Sequence, residues 1–205
     1  MNKQLILSIA ASFAFAGSAF AGSQAFDFKD PKGVNNAVFK LDAPLEAING
    51  TAHGISGTVN YDPEKPESLA GKIVVDAKSL TVPNPTMLGH MQGAQWLDVE
   101  QFKEITFEAT KVGKVKHEGA NVTADVTGKF TLHGVTKEIT VPVKLSYLKD
   151  KLSQRVPNMP GDLLVIRAKF NIKRTDYGIN PGAPTDKVSD EIELTLSLAG
   201  ASPKK

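Results

Sequence analysis

Asn121-Val-Thr-Ala-Asp-Val-Thr-Gly-Lys-Phe-Thr-Leu132 alternates apolar and polar residues with a period of two. Val122, Ala124, Val126, Gly128, Phe130 and Leu132 fall on one face; Thr123, Asp125, Thr127, Lys129 and Thr131 fall on the other. Successive side chains of a strand point to opposite faces, so this run predicts a β-strand with one buried and one wet side. The pattern spreads in both directions. Downstream, Ile139, Val141, Val143, Leu145 and Tyr147 alternate with polar partners, as do Leu164 to Ile172 and Ile192 to Leu198. Upstream, Ile55 to Tyr61, Ile73 to Ala77 and Ile105 to Ala109 behave alike, and Val38 to Leu41 reads as a first strand. Antiparallel sheets tolerate a solvated face; parallel sheets covered on both faces by helices do not. The expectation is an all-β, lipocalin-like antiparallel barrel of about eight strands with a greasy interior. Turn chemistry places corners at Asn49-Gly50, Asp62-Pro63, Glu118-Gly119 and His133-Gly134.

One stretch departs from the rhythm. After Pro83 and Pro85, the segment Thr86 to Val99 has helical spacing, with Met87, Met91, Ala94 and Leu97 on a common face. Gly89 and Gly93 limit its length, so the prediction is a short helix or two turns, placed as a lid on the barrel.

Residues 1–21 read as an export signal. Lys3 gives the positive start, Leu5 to Phe15 a short apolar core, and Ala19-Phe20-Ala21 a small-residue cleavage site. That core is too short to span a bilayer comfortably. The expectation is a mature single domain over residues 22–205, located in the periplasm or secreted, with no integral membrane span. Such a chain can bury a core without staples, and it contains no cysteine. The net charge is +2, with lysines and acids interspersed, so no clustered basic face points to nucleic acid. A membrane barrel would show the same alternation inside out, with Lys129, Lys144, Lys169, Glu108 and Glu193 lining a polar lumen. Aromatic residues make up 7% of the chain, too few for two interfacial girdles.

An eight-stranded barrel is either filled by its own side chains or holds one small ligand. Gly57, Ala77, Ala109, Ala124, Gly128 and Ala168 are small inward residues that would leave space, or else simply permit bends and tight packing.

The run V-T-G-K-F-T-L-H-G-V-T-K-E-I-T-V, Val126 to Val141, resembles the signature of the YceI-like family. Three further pieces are similar: W-L-D-V-E-Q-F-K-E-I-T-F-E-A-T from Trp96, K-R-T-D-Y-G-I from Lys173 and V-S-D-E-I-E-L from Val188. The resemblance implies an exported barrel whose elongated pocket encloses an isoprenoid (quinone- or polyprenol-type) or fatty-acyl tail, without a catalytic constellation to transfer. Two places depart from the family pattern: Val34-Asn35 stands where a His-Ser pair is common, and Met87 where an Arg is. A less polar or differently shaped head group is the corresponding expectation.

Met87, Met91, Trp96, Phe107, Phe130 and Phe170 are the candidates to line such a cavity, since methionine adapts to irregular guests and aromatics offer large contact areas. Phe39, Val75, Val126, Val141 and Leu196 join them from the inward faces of strands. His90, set between the two lid methionines, is the one histidine offered as a ligand contact. His53, His117 and His133 are scattered, so no zinc site is expected, and His133 is expected to orient its hairpin. No G-x-S-x-G motif occurs; Ser56 lies within a strand. The carboxylate pairs Asp98/Glu100 and Asp190/Glu191 are expected to cap strand starts, and Asp176 to pair with Arg174 across a turn. No cofactor is expected.

Three function classes follow. The first is a periplasmic carrier of a long apolar lipid. The second is a small lipid-acting enzyme using His90, and the third a solidly packed stress-response or interaction module. An isolated edge strand would support a homodimer.

Overall fold

The computed structural model describes residues 22–204; the expected leader, residues 1–21, lies outside them. The described residues form eleven strands: β1 Gln24–Asp27, β2 Asn36–Asp42, β3 Ala47–Ala52, β4 Ile55–Tyr61, β5 Ala70–Asp76, β6 Leu80–Thr81, β7 Glu104–Glu118, β8 Asn121–Leu132, β9 Val135–Leu148, β10 Gly161–Lys173 and β11 Glu191–Pro203. Two short helices interrupt them, α1 Pro85–Gln92 and α2 Leu152–Arg155. All pairings are antiparallel, in the order β1-β4-β5-β7-β8-β9-β10-β11, and β1 pairs β11 to close the barrel. The eight-stranded closure matches the expectation from alternation.

The extra strands arise because β11 serves two partners along its length. Asp27 of β1 pairs with Ala201, whereas β2 pairs with the stretch from Glu193 to Ser197. Between them the chain leaves the ladder, and buried Asn35 fills the gap. Its side-chain amide donates to the carbonyls of Phe28 (3.0 Å) and Ala199 (3.1 Å), while its oxygen accepts the N–H of Ala199 (2.8 Å). The amide thus exchanges both bonds with Ala199, as a strand residue would. β3 and β6 continue beyond β2 and form a short wall above the barrel proper.

β8 alternates buried residues with half-buried or, at Lys129, exposed ones along its whole length, as its sequence demands. The exposed faces carry Lys129, Lys144, Lys169 and Glu108, and Lys169 pairs with Glu193 at 2.9 Å on the outside. That polarity is opposite to a membrane barrel. Asn49-Gly50 is not a corner: both residues sit within β3, where Gly50 faces Phe39. The Phe39 ring lies so close that a Cβ on Gly50 would come within 2.1 Å of Cζ. The strand there needs glycine for packing, and the turn signal was a false one. Gly128 answers the same need, its missing Cβ replaced by the Phe107 ring at 2.7 Å. These inward glycines admit a neighbouring ring and leave no empty space.

The lid holds a helix of eight residues, the short helix of about two turns expected within Thr86 to Val99. Asn84 caps it by accepting the Met87 N–H at 3.0 Å, Pro85 occupies the first turn, and Gly93 ends it. Tight turns follow, with the amides of Trp96 and Asp98 both donating to the Gly93 carbonyl.

Candidate binding cavity

The interior is packed in three separate groups. Phe26, Phe28, Tyr61, Leu145, Leu164 and Leu198, all at most 1% exposed, seal the end of the barrel that carries the β7–β8 turn and α2. At the other end Phe39, Leu41, Ala52, Leu80 and Val82 form one cluster under α1. Phe130, Leu132, Ile172, Tyr177 and Ile179 form another beneath the loop after β10. A cavity of about 220 Å³ runs among the three groups. An apolar protein cavity of about 150 Å³ already stays dry and takes a benzene-sized guest, so this one has room for more than a ring. Its lining runs from Ile166 on β10 to Arg174, the residue just after that strand. Eight residue steps at about 3.3 Å, tilted by about 40° in a barrel, give roughly 20 Å of axial length. A modest volume drawn out over that length makes a bore of chain width. Ala109 and Ala168 widen it, whereas Ala77 and Ala124 lie outside its lining.

Ten sequence candidates line this bore: Phe39, Val75, Met91, Trp96, Phe107, Val126, Phe130, Val141, Phe170 and Leu196. They come from β2, β5, the lid, β7, β8, β9, β10 and β11, so the site uses nearly every wall. Phe130 is held edge-on against Phe170 (6.4 Å between centroids) and Tyr177 (5.5 Å), which fixes the wall at the mouth end.

Met87 and His90 do not line it. Met87 packs, half-buried, against the cluster of Phe39 and Leu80, one helical turn away from Met91. His90 is exposed. Adjacent residues stand about 100° apart on a helix, so with Met87, Leu88 and Met91 turned inward His90 must face solvent. The sequence placed it among methionines by proximity along the chain, and helical rotation separates it from them.

The sequence offers Arg174 only as an ion-pair partner for Asp176. Its side chain is fully buried beside the bore. Nε donates to Ser189 O (3.2 Å), Nη1 to Ile179 O (3.1 Å) and Asn180 O, and Nη2 to Ala183 O (3.0 Å) and Val188 O (3.3 Å). All five guanidinium protons are spent on carbonyls of the loop between β10 and β11. Its face lies 6.0 Å from the Trp96 ring, which joins this loop to the lid segment. The expected Arg174–Asp176 pair is therefore absent: Asp176 meets Lys137 Nζ at 3.0 Å. Asp190 instead accepts the N–H and Oγ–H of Thr175, both at 3.0 Å. Burial works to raise its pKa, but the Thr175 bonds and the nearby Arg174 and Lys173 charges outweigh it and hold the carboxyl below its ordinary value. The signal for Arg174 was the K-R-T-D-Y-G-I segment itself, an arginine directly after a strand of inward apolar residues.

His133 does orient its hairpin. It adopts φ +50°, its Nδ1 lies 3.1 Å from the Tyr177 carbonyl, and its ring packs edge-on against Phe102.

The solved structures that resemble this barrel show the same fold. BcnA of Burkholderia cenocepacia superposes with a TM-score of 0.66 at 20% identity, covering 80% of this chain and 95% of that one. A polyisoprenoid binding domain from Saccharophagus degradans, implicated in plant cell wall breakdown, superposes at 0.63 with 14% identity, covering 88% and 99%. In sequence, Protein YceI of Salmonella newport (strain SL254) is 28% identical over 206 residues, across 100% of both chains. The model of the YceI-like domain matches residues 22–199, the lid and all of the barrel but the last residues of β11, and the chain belongs to that family.

Proposed function

We propose that this protein is an exported carrier that holds the hydrocarbon tail of an isoprenoid or fatty-acyl lipid inside its barrel and works in the periplasm. The observation that carries the reading is the bore: about 220 Å³, roughly 20 Å long, and walled by aliphatic and aromatic side chains. Family membership and the polyisoprenoid-binding neighbour support a lipid as occupant. The leader-like residues 1–21 support export. Each methylene moved from water into such a site contributes about 0.8 kcal/mol. Ten of them give about 8 kcal/mol, a micromolar complex before the cost of ordering the tail is subtracted. The bore is complete within one chain, so a homodimer is not needed for binding.

The bore also weighs against a solidly packed interaction module. A lipid-acting enzyme is the weaker alternative, because His90 stands outside the bore. Native purification followed by organic extraction and mass spectrometry tests the carrier reading: a co-purifying lipid with a long apolar tail is expected. Repeated preparations that carry none and take up none on titration with a long-tailed quinone would end it.

A further inference from the structure

We infer that the bore admits the tail alone and leaves the polar head in solvent at the lid, so that the protein selects ligands by tail length and is nearly indifferent to head chemistry. This rests on the lipid-carrier reading and adds to it where each end of the ligand lies. The inference follows from a census of hydrogen-bonding groups along the lining. Thr106 and Arg174 are its only residues with a hydroxyl or a charge. Thr106 sits between the inward Ile105 and Phe107 on β7, so its side chain falls on the outer face. Arg174 has no proton left to give, since loop carbonyls take all five. A quinone carbonyl, hydroxyl or carboxylate drawn into the bore would exchange water for nothing. A buried polar group without a partner weakens binding by about 10- to 100-fold, and a carboxylate by more.

The two ends of the bore then decide orientation. Phe26, Phe28, Tyr61 and Leu164 close one end completely. The other ends beneath Met91, Trp96 and Leu97, which are only half-buried and belong to the lid segment. Trp96 belongs to this lid segment and lines the bore, and its indole N–H, like the outward Thr106 hydroxyl, makes no hydrogen bond within the described residues. The tail enters first, and the head comes to rest where water remains and where that N–H can meet it.

The test uses three homologous series, n-alkanoic acids, alkan-1-ols and methyl alkanoates of 8 to 18 carbons. Each is titrated below its aggregation limit into the purified, delipidated protein. Affinity should rise roughly fourfold per methylene in all three series and then flatten at one common length. At any fixed length the three heads should agree within about threefold. A difference above tenfold between heads at fixed length, or a different plateau length for each series, would overturn the inference while leaving tail binding intact. Failure of every series to bind would instead remove the carrier reading, and this inference with it.

Discussion

The two ends of the barrel are built on different principles. The closed end is bolted: its aromatic plug is fully buried, and polar groups that ring it are paired to exhaustion. Asp162 accepts the Asp150 N–H at 2.8 Å and the Tyr147 hydroxyl at 2.7 Å, and it meets Lys204 Nζ at 3.1 Å. Asp30 accepts the backbone N–H groups of Val34 and Asn35, both at 2.8 Å, and pairs with Arg155 at 2.8 Å. The mouth is covered differently, by a lid whose helix has no fully buried residue. Half-buried lid side chains cover the bore, and one arginine holds the neighbouring loop by its carbonyls. The plug is at most 1% exposed, whereas the lid residues Met91, Trp96 and Leu97 are only half-buried. Regions of low local stability are where ligand passage is possible at all.

The largest test of this contrast is Phe26→Ala. It empties a site with no room to relax, and should cost about 3–5 kcal/mol of unfolding free energy in urea melts. Phe107→Ala, on the wall of the bore and only half-buried, should cost clearly less, since one side of its ring faces the cavity and not packed protein neighbours. Equal losses at the two sites would show that the bore is as tightly packed as the plug.

Arg174→Lys comes next. Lysine carries three protons on a flexible stem in place of five in a rigid fork, so at least two loop carbonyls lose their partner. A loss of about 2–3 kcal/mol is expected. Faster proteolysis within residues 178–190 should accompany it, while the closed end stays protected. Uniform loss of protection across the barrel would contradict a local role at the mouth.

The closed end should also set the acid limb of stability. Burial alone would raise the pKa of Asp162. The Asp150 N–H, the Tyr147 hydroxyl and Lys204 outweigh it and hold the carboxyl below its ordinary value. Asp30 is lowered in the same way, against burial, by the N–H groups of Asn35, Lys32 and Val34 and by Arg155. A native pKa below the unfolded one means that the stabilisation is fully present above the unfolded value, about 3.9. It is then lost as pH falls through the depressed native value. Asp162→Asn should lower stability at pH 7 by about 1–3 kcal/mol and flatten the decline between pH 5 and pH 2.5. An unchanged acid limb in Asp30→Asn and Asp162→Asn alike would place the acid-sensitive groups elsewhere.

Period-two alternation made the barrel legible because each inward position is read from its own strand. Phe39, Val126, Phe130 and Leu196 needed no knowledge of partners to be assigned to the interior. What stayed hidden depends on pairs. Gly50 could be told from a turn glycine only once Phe39 was known to lie across from it. Asn35 looked like a departure from a motif until Ala199, 164 residues away, supplied its bonds. The role of Arg174 required the path of a loop that has no periodicity to read. Alternation missed three strands: β1 and β6 are too short to show a pattern, and β3 was hidden by the turn-like Asn49-Gly50 within it.

The smallest effect separates neighbours on the lid. His90 and Met91 are adjacent in the chain and stand about 100° apart round α1, so only Met91 meets the bore. Met91→Ala removes apolar contact at the mouth. It should weaken binding of a long-tailed alcohol several-fold, with a stability change under about 1 kcal/mol, because the helix carries no fully buried residue. His90→Ala should leave both affinity and stability within about 0.5 kcal/mol of the parent, as expected for an exposed side chain without partners. A His90→Ala variant that lost affinity as Met91→Ala does would mean the helix rolls about its axis on binding. The lid would then be a moving part of the site rather than a cover over it.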